Sequence, residues 1–202
     1  MKRLVIYIHG KGGSASEAGR YIPLFPGYKI IGFDYKSETP WEAVNEFSDY
    51  FDTVSADYDS IILIANSIGA FFSLCSLNKK PIKKAFFISP IVNMEKLISG
   101  MMRWANVTEQ ELSDKKYIET SFGETLSWEY LVWVKNNPVV WNISTEILYG
   151  AQDNLQSFDT INSFVEKFGA KVTVMENGEH WFHTDKQMQF LDNWIKGRIE
   201  EI

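Results

Sequence analysis

The chain has 202 residues, 45% hydrophobic and 15% aromatic, enough for a single domain (residues 1–202) with a sizeable core. A formal charge of −6 with no Lys/Arg cluster argues against nucleic acid or an anionic membrane as the main partner. Cys75 is the one cysteine, so an internal disulfide is impossible and a reducing, cytoplasmic setting is expected; no apolar run approaches the length of a membrane span.

Short apolar runs alternate with helical patterns, which predicts an α/β fold of about six mostly parallel strands flanked by helices. The opening run Leu4 to Ile8 is too short for a signal-peptide core and is read as the first strand. Tyr28 to Tyr35 is the second. A helix follows from Thr39, with Pro40 at its first position, Glu42 completing a capping box, and Trp41, Val44, Phe51 and Val54 as its apolar stripe. Ile61 to Ala65 forms the third strand and Ile68 to Leu77 its helix; Ala85 to Ser89 forms the fourth. From Pro90 to Ser144 the alternation stops. Helical patterns at Met94–Trp104, Thr108–Tyr117 and Ser127–Asn136 predict a small helical lid insertion over about 91–144. The run "TEILYG" is the fifth strand, Ser157 to Phe168 a helix that Gly169 can end in a left-handed conformation, and "AKVTVM" the sixth strand. A last helix begins near Thr184, with Gln187 closing a second capping box and Met188, Leu191, Ile195 and Ile199 toward the core.

The junction "ANSIGA" between the third strand and its helix carries the chemistry. A serine on a sharp strand-to-helix turn projects its hydroxyl above the sheet, and such a turn needs small residues two places before and after it. Ala65 and Gly69 flank Ser67 in that way, and Ile68 opens the helix with its N–H where an oxyanion would form. The alternative is an ordinary strand-helix turn with Ser67 as a cap. After the first strand, "HGKGGS" has three glycines in four positions, a backbone able to curl and present amide groups. It lacks the spacing of a dinucleotide loop or a phosphate-binding loop. After the fifth strand stands Asp153, with Asp159 on the following helix as a second candidate acid. After the sixth stands His180 in a Gly-x-His loop, preferred as base over His183, which lies almost at the start of the final helix.

In order and spacing, "HGKGG", "ANSIGA", "YGAQDN" and "GEH" resemble the α/β-hydrolase fold, in a compact esterase-like form without the two N-terminal antiparallel strands of the full sheet. The resemblance implies Ser67 as nucleophile, His180 as general base and acid, and Asp153 as the orienting carboxylate. It implies an oxyanion hole from the backbone N–H groups of Ile68 and Lys11, with Gly12 as the alternative donor, and a structural role for His9. Ala65 stands where the family has glycine. The function implied is hydrolysis of small or medium carboxylic esters through an acyl-enzyme. Thioester, amide or peptide cleavage, acyl transfer, and a non-catalytic ligand-binding role are the alternatives. The expected partner is a small-molecule acyl substrate, and the chemistry calls for no metal or organic cofactor. Met101, Met102, Trp104, Trp128, Tyr130, Trp133 and Trp141 are candidates either to line an apolar pocket or to pack the lid.

Overall fold

The computed structural model describes residues 1–199. The described residues divide into two compact units: residues 1–92 with 140–199, which hold the sheet, and residues 93–139. In the first unit the elements are β1 (Arg3–Ile8), a 3-10 segment (Ala15–Leu24), β2 (Lys29–Phe33), α1 (Pro40–Ser55), β3 (Ser60–Asn66), α2 (Ile68–Ser76) and β4 (Lys84–Ile88). The second unit contributes α3 (Met94–Trp104), α4 (Glu109–Lys115), β5 (Tyr117–Glu119), β6 (Thr125–Ser127) and α5 (Trp128–Asn136). The first unit then resumes with β7 (Thr145–Gly150), α6 (Phe158–Phe168), β8 (Lys171–Met175) and α7 (Asp185–Ile199).

Six strands form one sheet in the order β2-β1-β3-β4-β7-β8, and every pairing in it is parallel. Parallel strands need crossover connections, so helices cover both faces and the central strands become continuous apolar runs. Ile61, Ile62, Leu63, Ile64 and Ala65 are each at most 2% exposed. Side chains such as these contribute about 1.5–3 kcal/mol each on burial. One face packs Tyr7, Tyr21, Phe25, Phe86 and Trp194 into a single cluster with the 3-10 segment and α7. On another side Phe33, Tyr35, Phe47 and Phe72 meet ring to ring, with Phe33–Phe47 at 5.0 Å and Phe47–Phe72 at 5.9 Å.

The chain leaves β1 toward β2 on one side and returns to β3 on the other. The strand order therefore reverses between β1 and β3, and in open α/β sheets the crevice beyond the strand C-termini at such a point is where ligands bind. The loops that open there are His9–Ser14 and the turn at Ser67. Among the described residues, no helix is long and apolar enough to cross a membrane.

Several details differ from the sequence expectation. Helix α1 buries Pro40, Ala43, Phe47 and Phe51, while Val44 is exposed. The spacing of three and four residues is helical as expected, but Phe47 and its aromatic neighbours choose the face. The 3-10 segment was not expected, although Ser14 and Glu17 begin it with a capping contact, Ser14 N–H donating to Glu17 Oε1 at 3.0 Å. In the second unit the predicted Thr108–Tyr117 helix ends at Lys115. Lys116 takes φ +67°, and Tyr117 enters the antiparallel β5–β6 pair. The second compact unit, Asn93–Val139, lies within the 91–144 span expected of the insertion.

The aromatic residues suggested for the lid divide in the same way. Trp141 lies in the sheet unit, buried at 5.6 Å from the Phe87 ring and donating its indole N–H to Thr145 Oγ1 at 2.7 Å. Trp104 is 59% exposed and meets Phe122 edge to face. Met102 is buried, and Met101, Trp128, Tyr130 and Trp133 are half-buried.

Candidate active site

Ser67 stands between the end of β3 and the start of α2, with φ +50° and ψ −117°. A non-glycine residue in that region costs about 1–3 kcal/mol and persists only where its surroundings hold it. Here the restraint is backbone hydrogen bonding. Ser67 N–H donates to Ile88 O at 3.1 Å, and Ser67 O accepts from Ala70 N–H at 3.2 Å and Ile91 N–H at 3.1 Å. The sharp turn also brings α2 down onto the end of β1. A Cβ at Gly69 would lie 2.4 Å from His9 O and 2.8 Å from Ile8 Cγ2, so no side chain fits there. At the other flank Ala65 is fully buried with its methyl accommodated.

His180 comes from the loop between β8 and α7, and Asp153 from the loop after β7. The two loops are stitched together by Ala151 N–H to Met175 O at 2.9 Å and Gln152 N–H to Gly178 O at 2.8 Å. A turn bond from Asp153 N–H to Gly150 O at 2.9 Å then aims the carboxylate. Asp153 Oδ1 accepts the N–H groups of Leu155 and Gln156 at 2.8 and 3.1 Å. Oδ2 lies 2.7 Å from His180 Nδ1. The Asp153 side chain is fully buried and that of His180 is 16% exposed. A carboxylate accepts only, so the proton of the neutral ring sits on Nδ1 and Nε2 is left as an acceptor. That Nε2 lies 2.8 Å from Ser67 Oγ, and the serine hydroxyl donates to it.

The three residues predicted at distant positions, Ser67, Asp153 and His180, therefore form one continuous hydrogen-bonded line. The other candidates lie elsewhere. Asp159 is exposed in the first turn of α6. His183 stacks on Trp181 at 4.4 Å and donates through Nδ1 to Trp181 O at 2.8 Å. His9 is buried, stacks on Tyr35 at 4.3 Å and donates through Nδ1 to Gly10 O at 2.8 Å.

The glycine loop reaches the same place. A Cβ at Gly10 would lie 3.1 Å from Ser67 Cβ, and Gly13 N–H turns back to Gly10 O at 3.1 Å. Ile68 is the first residue of α2, where helix amides have no intrahelical acceptor. Lys11 and Gly12 lie in the loop beside it, and Gly12 takes φ +74°.

Sequence reasoning missed Gln156. Its residue is 2% exposed, its Oε1 accepts Val92 N–H at 3.2 Å, and its carbonyl accepts the Tyr149 hydroxyl at 2.9 Å. It thus braces the chain after β4 against the Asp153 turn, a role with no local sequence signal. Burial, with a smaller contribution from Asp153, pushes the Tyr149 phenol up. Burial likewise pushes the Cys75 thiol up to about 12, which leaves it a protonated, unreactive group at neutral pH. Among the described residues, no group of three or more His, Cys, Asp or Glu is arranged to hold a metal ion.

No family model matches the sequence. A Mycoplasma genitalium protein assigned by name to the esterases and lipases is 33% identical over a 105-residue alignment. That alignment covers 45% of this chain and 37% of that relative, so the chain matches well under half of the relative's length. Among solved structures, Est1E from Butyrivibrio proteoclasticus superposes with a TM-score of 0.77 at 15% identity, over 99% of this chain and 88% of that one. Mouse alpha/beta hydrolase domain-containing protein 10 superposes with a TM-score of 0.78 at 15% identity, over 98% and 90%. At that identity a likeness over nearly the whole chain speaks for the fold, and it agrees with the parallel sheet and the strand-turn-helix at Ser67. The chain has the α/β-hydrolase fold.

Proposed function

We propose that the protein is a serine hydrolase that cleaves small or medium carboxylic esters through an acyl-enzyme. The observation that carries the reading is the relay from Ser67 Oγ to His180 Nε2 (2.8 Å) and from His180 Nδ1 to Asp153 Oδ2 (2.7 Å). The name of the Mycoplasma genitalium relative points the same way. Ser67 Oγ bonds to the substrate carbonyl carbon while its proton passes to His180 Nε2, and the carbonyl π electrons move onto oxygen. Asp153 holds the tautomer and stabilises the imidazolium that forms. The amides of Ile68 and Lys11, with Gly12 as the alternative to Lys11, receive the oxyanion, each worth about 3 kcal/mol in such sites. Collapse breaks the bond to the alcohol, which leaves with the proton from His180. Water, deprotonated by His180, then attacks the acyl-enzyme and releases the acid and Ser67.

The expected substrate is a small acyl compound, and the reaction as written needs neither metal nor organic cofactor. The lone Cys75 favours a reducing, cytoplasmic setting. The same relay serves thioesters, amides and acyl transfer, and a panel of acyl chains and leaving groups ranks these. The direct test is labelling with a fluorophosphonate followed by peptide mapping, together with hydrolysis of a short p-nitrophenyl ester. Modification at Ser67 is expected, and Ser67→Ala, His180→Ala and Asp153→Asn should each lower turnover by about 10⁴-fold or more with folding intact. An unlabelled Ser67 would point instead to a ligand-binding protein on a hydrolase scaffold. Activity kept in His180→Ala and lost in His183→Ala would assign the base to His183.

A further inference from the structure

The loop His9–Ser14 is held at both of its ends by a tyrosine. At the entry, the Tyr35 hydroxyl donates to His9 O at 3.0 Å while its ring stacks on the His9 imidazole. At the exit, Glu17 places one carboxylate oxygen on each of two donors. Oε1 accepts Ser14 N–H at 3.0 Å, and Oε2 accepts the Tyr7 hydroxyl at 2.5 Å. Tyr7 is 2% exposed on β1, within the core cluster, and Glu17 supplies the acceptor for its hydroxyl. Glu17 is itself exposed as a residue, yet both of its oxygens are engaged. Between Ser14 and β1 the loop closes onto this carboxylate, since a Cβ at Gly13 would lie 2.7 Å from Glu17 Oε1.

We propose that the Tyr7–Glu17 pair positions the oxyanion loop. It is a strut from the rigid first strand to the far end of a glycine-rich turn that could not hold its own shape, and it acts through the loop backbone without touching substrate. This deepens the proposed function and rests on it. The physical need is plain. Glycines allow the turn but impose no conformation, while an oxyanion donor loses most of its value when displaced by about an ångström. Burial first, then Tyr21 and Glu17, raise the Tyr7 phenol, and burial raises Tyr35, so both hydroxyls stay donors throughout the neutral range.

The test compares the parent chain with Tyr7→Phe, Glu17→Gln, the double variant, and Arg20→Ala. Arg20 lies on the same 3-10 segment and bonds Met188 O and Asp192 on α7, so its loss loosens the segment without touching the loop. Three readouts are taken: kcat and KM on a p-nitrophenyl ester, the rate of Ser67 labelling by a fluorophosphonate, and the thermal midpoint. The expected result is kcat and labelling rate about ten- to a hundredfold lower in Tyr7→Phe and Glu17→Gln, with KM changed less than about threefold. The double variant should lose no more than the worse single one, because both act through one contact. Arg20→Ala should lower the midpoint and leave kcat near that of the parent. Unchanged kcat and labelling in folded Tyr7→Phe and Glu17→Gln overturn the proposal alone, as does an equal kcat loss in Arg20→Ala. A parent chain whose Ser67 does not label overturns the hydrolase reading and this proposal with it.

Discussion

At the scale of single residues, the site depends as much on missing atoms as on present ones. Ser67 can sit at φ +50° only because α2 is allowed to touch the end of β1, and Gly69 is the residue that allows it. Gly69→Ala should push the new methyl against His9 O, which belongs to backbone and cannot swing aside. We expect about 1–3 kcal/mol of destabilisation, measured by urea unfolding, with a kcat loss of tenfold or more on a short ester. A variant as stable and as active as the parent would show that the elbow tolerates a wider crossing. Gly69 was legible from sequence because its reason is local: it lies two residues from the serine in a tight turn. Gln156 was not, because its partners, Val92 and Tyr149, are brought to it only by the packed sheet.

At the scale of elements, the starts of helices were read correctly where the signal was a short polar pattern. Thr39 N–H donates to Glu42 Oε2 at 3.0 Å. Thr184 and Gln187 exchange bonds in both directions, at 3.1 and 3.3 Å. The second of these caps does more than begin α7. Gln187, 4% exposed, also accepts His183 N–H at 3.0 Å and donates to Glu179 Oε2 at 3.1 Å, so it ties the loop that carries His180 to the helix. Gln187→Ala should therefore cost about 1–3 kcal/mol in urea unfolding and lower kcat by less than tenfold, with Ser67 still labelling. A complete loss of labelling in a folded protein would mean that this cap sets the His180 position outright. The face of α1 and the β5–β6 pair escaped sequence reading for a shared reason. Periodicity specifies that a segment is helical, but Phe33, Tyr35 and Phe72 select which stripe of α1 is covered. Three-residue strands are too short to carry a period at all.

Across the whole sheet unit, the two strand edges serve different ends. At the C-terminal edge stand Ser67, Asp153 and His180. At the other, the buried Glu146 carboxylate is met by Arg198 Nε at 3.0 Å, Lys84 Nζ at 3.5 Å and Lys171 Nζ at 3.7 Å, so this buried charge is paired. Burial also couples the core to alkaline pH. Tyr7, Tyr21 and Tyr35 have phenols raised chiefly by burial. A raised folded value means that their contribution to stability is fully present below about pH 10, the unfolded phenol value, and is lost as pH climbs above it, where only the unfolded chain ionises. Titration at 295 nm should show these three silent among the nine tyrosines until the chain unfolds cooperatively. Smooth titration of all nine with native far-UV dichroism would contradict the burial assigned to them.

The sequence by itself determined the six strand runs of the parallel sheet, the helix caps, the small residues around Ser67, and which serine, carboxylate and imidazole stand just after strands. Each of these is written in a few neighbouring residues and follows from backbone geometry. Only the tertiary structure decided that residues 67, 153 and 180 share one hydrogen-bonded line, that Glu17 reaches back to Tyr7, and which faces of the helices are covered. Those outcomes depend on strand order and on partners far away along the chain, so no local pattern could encode them.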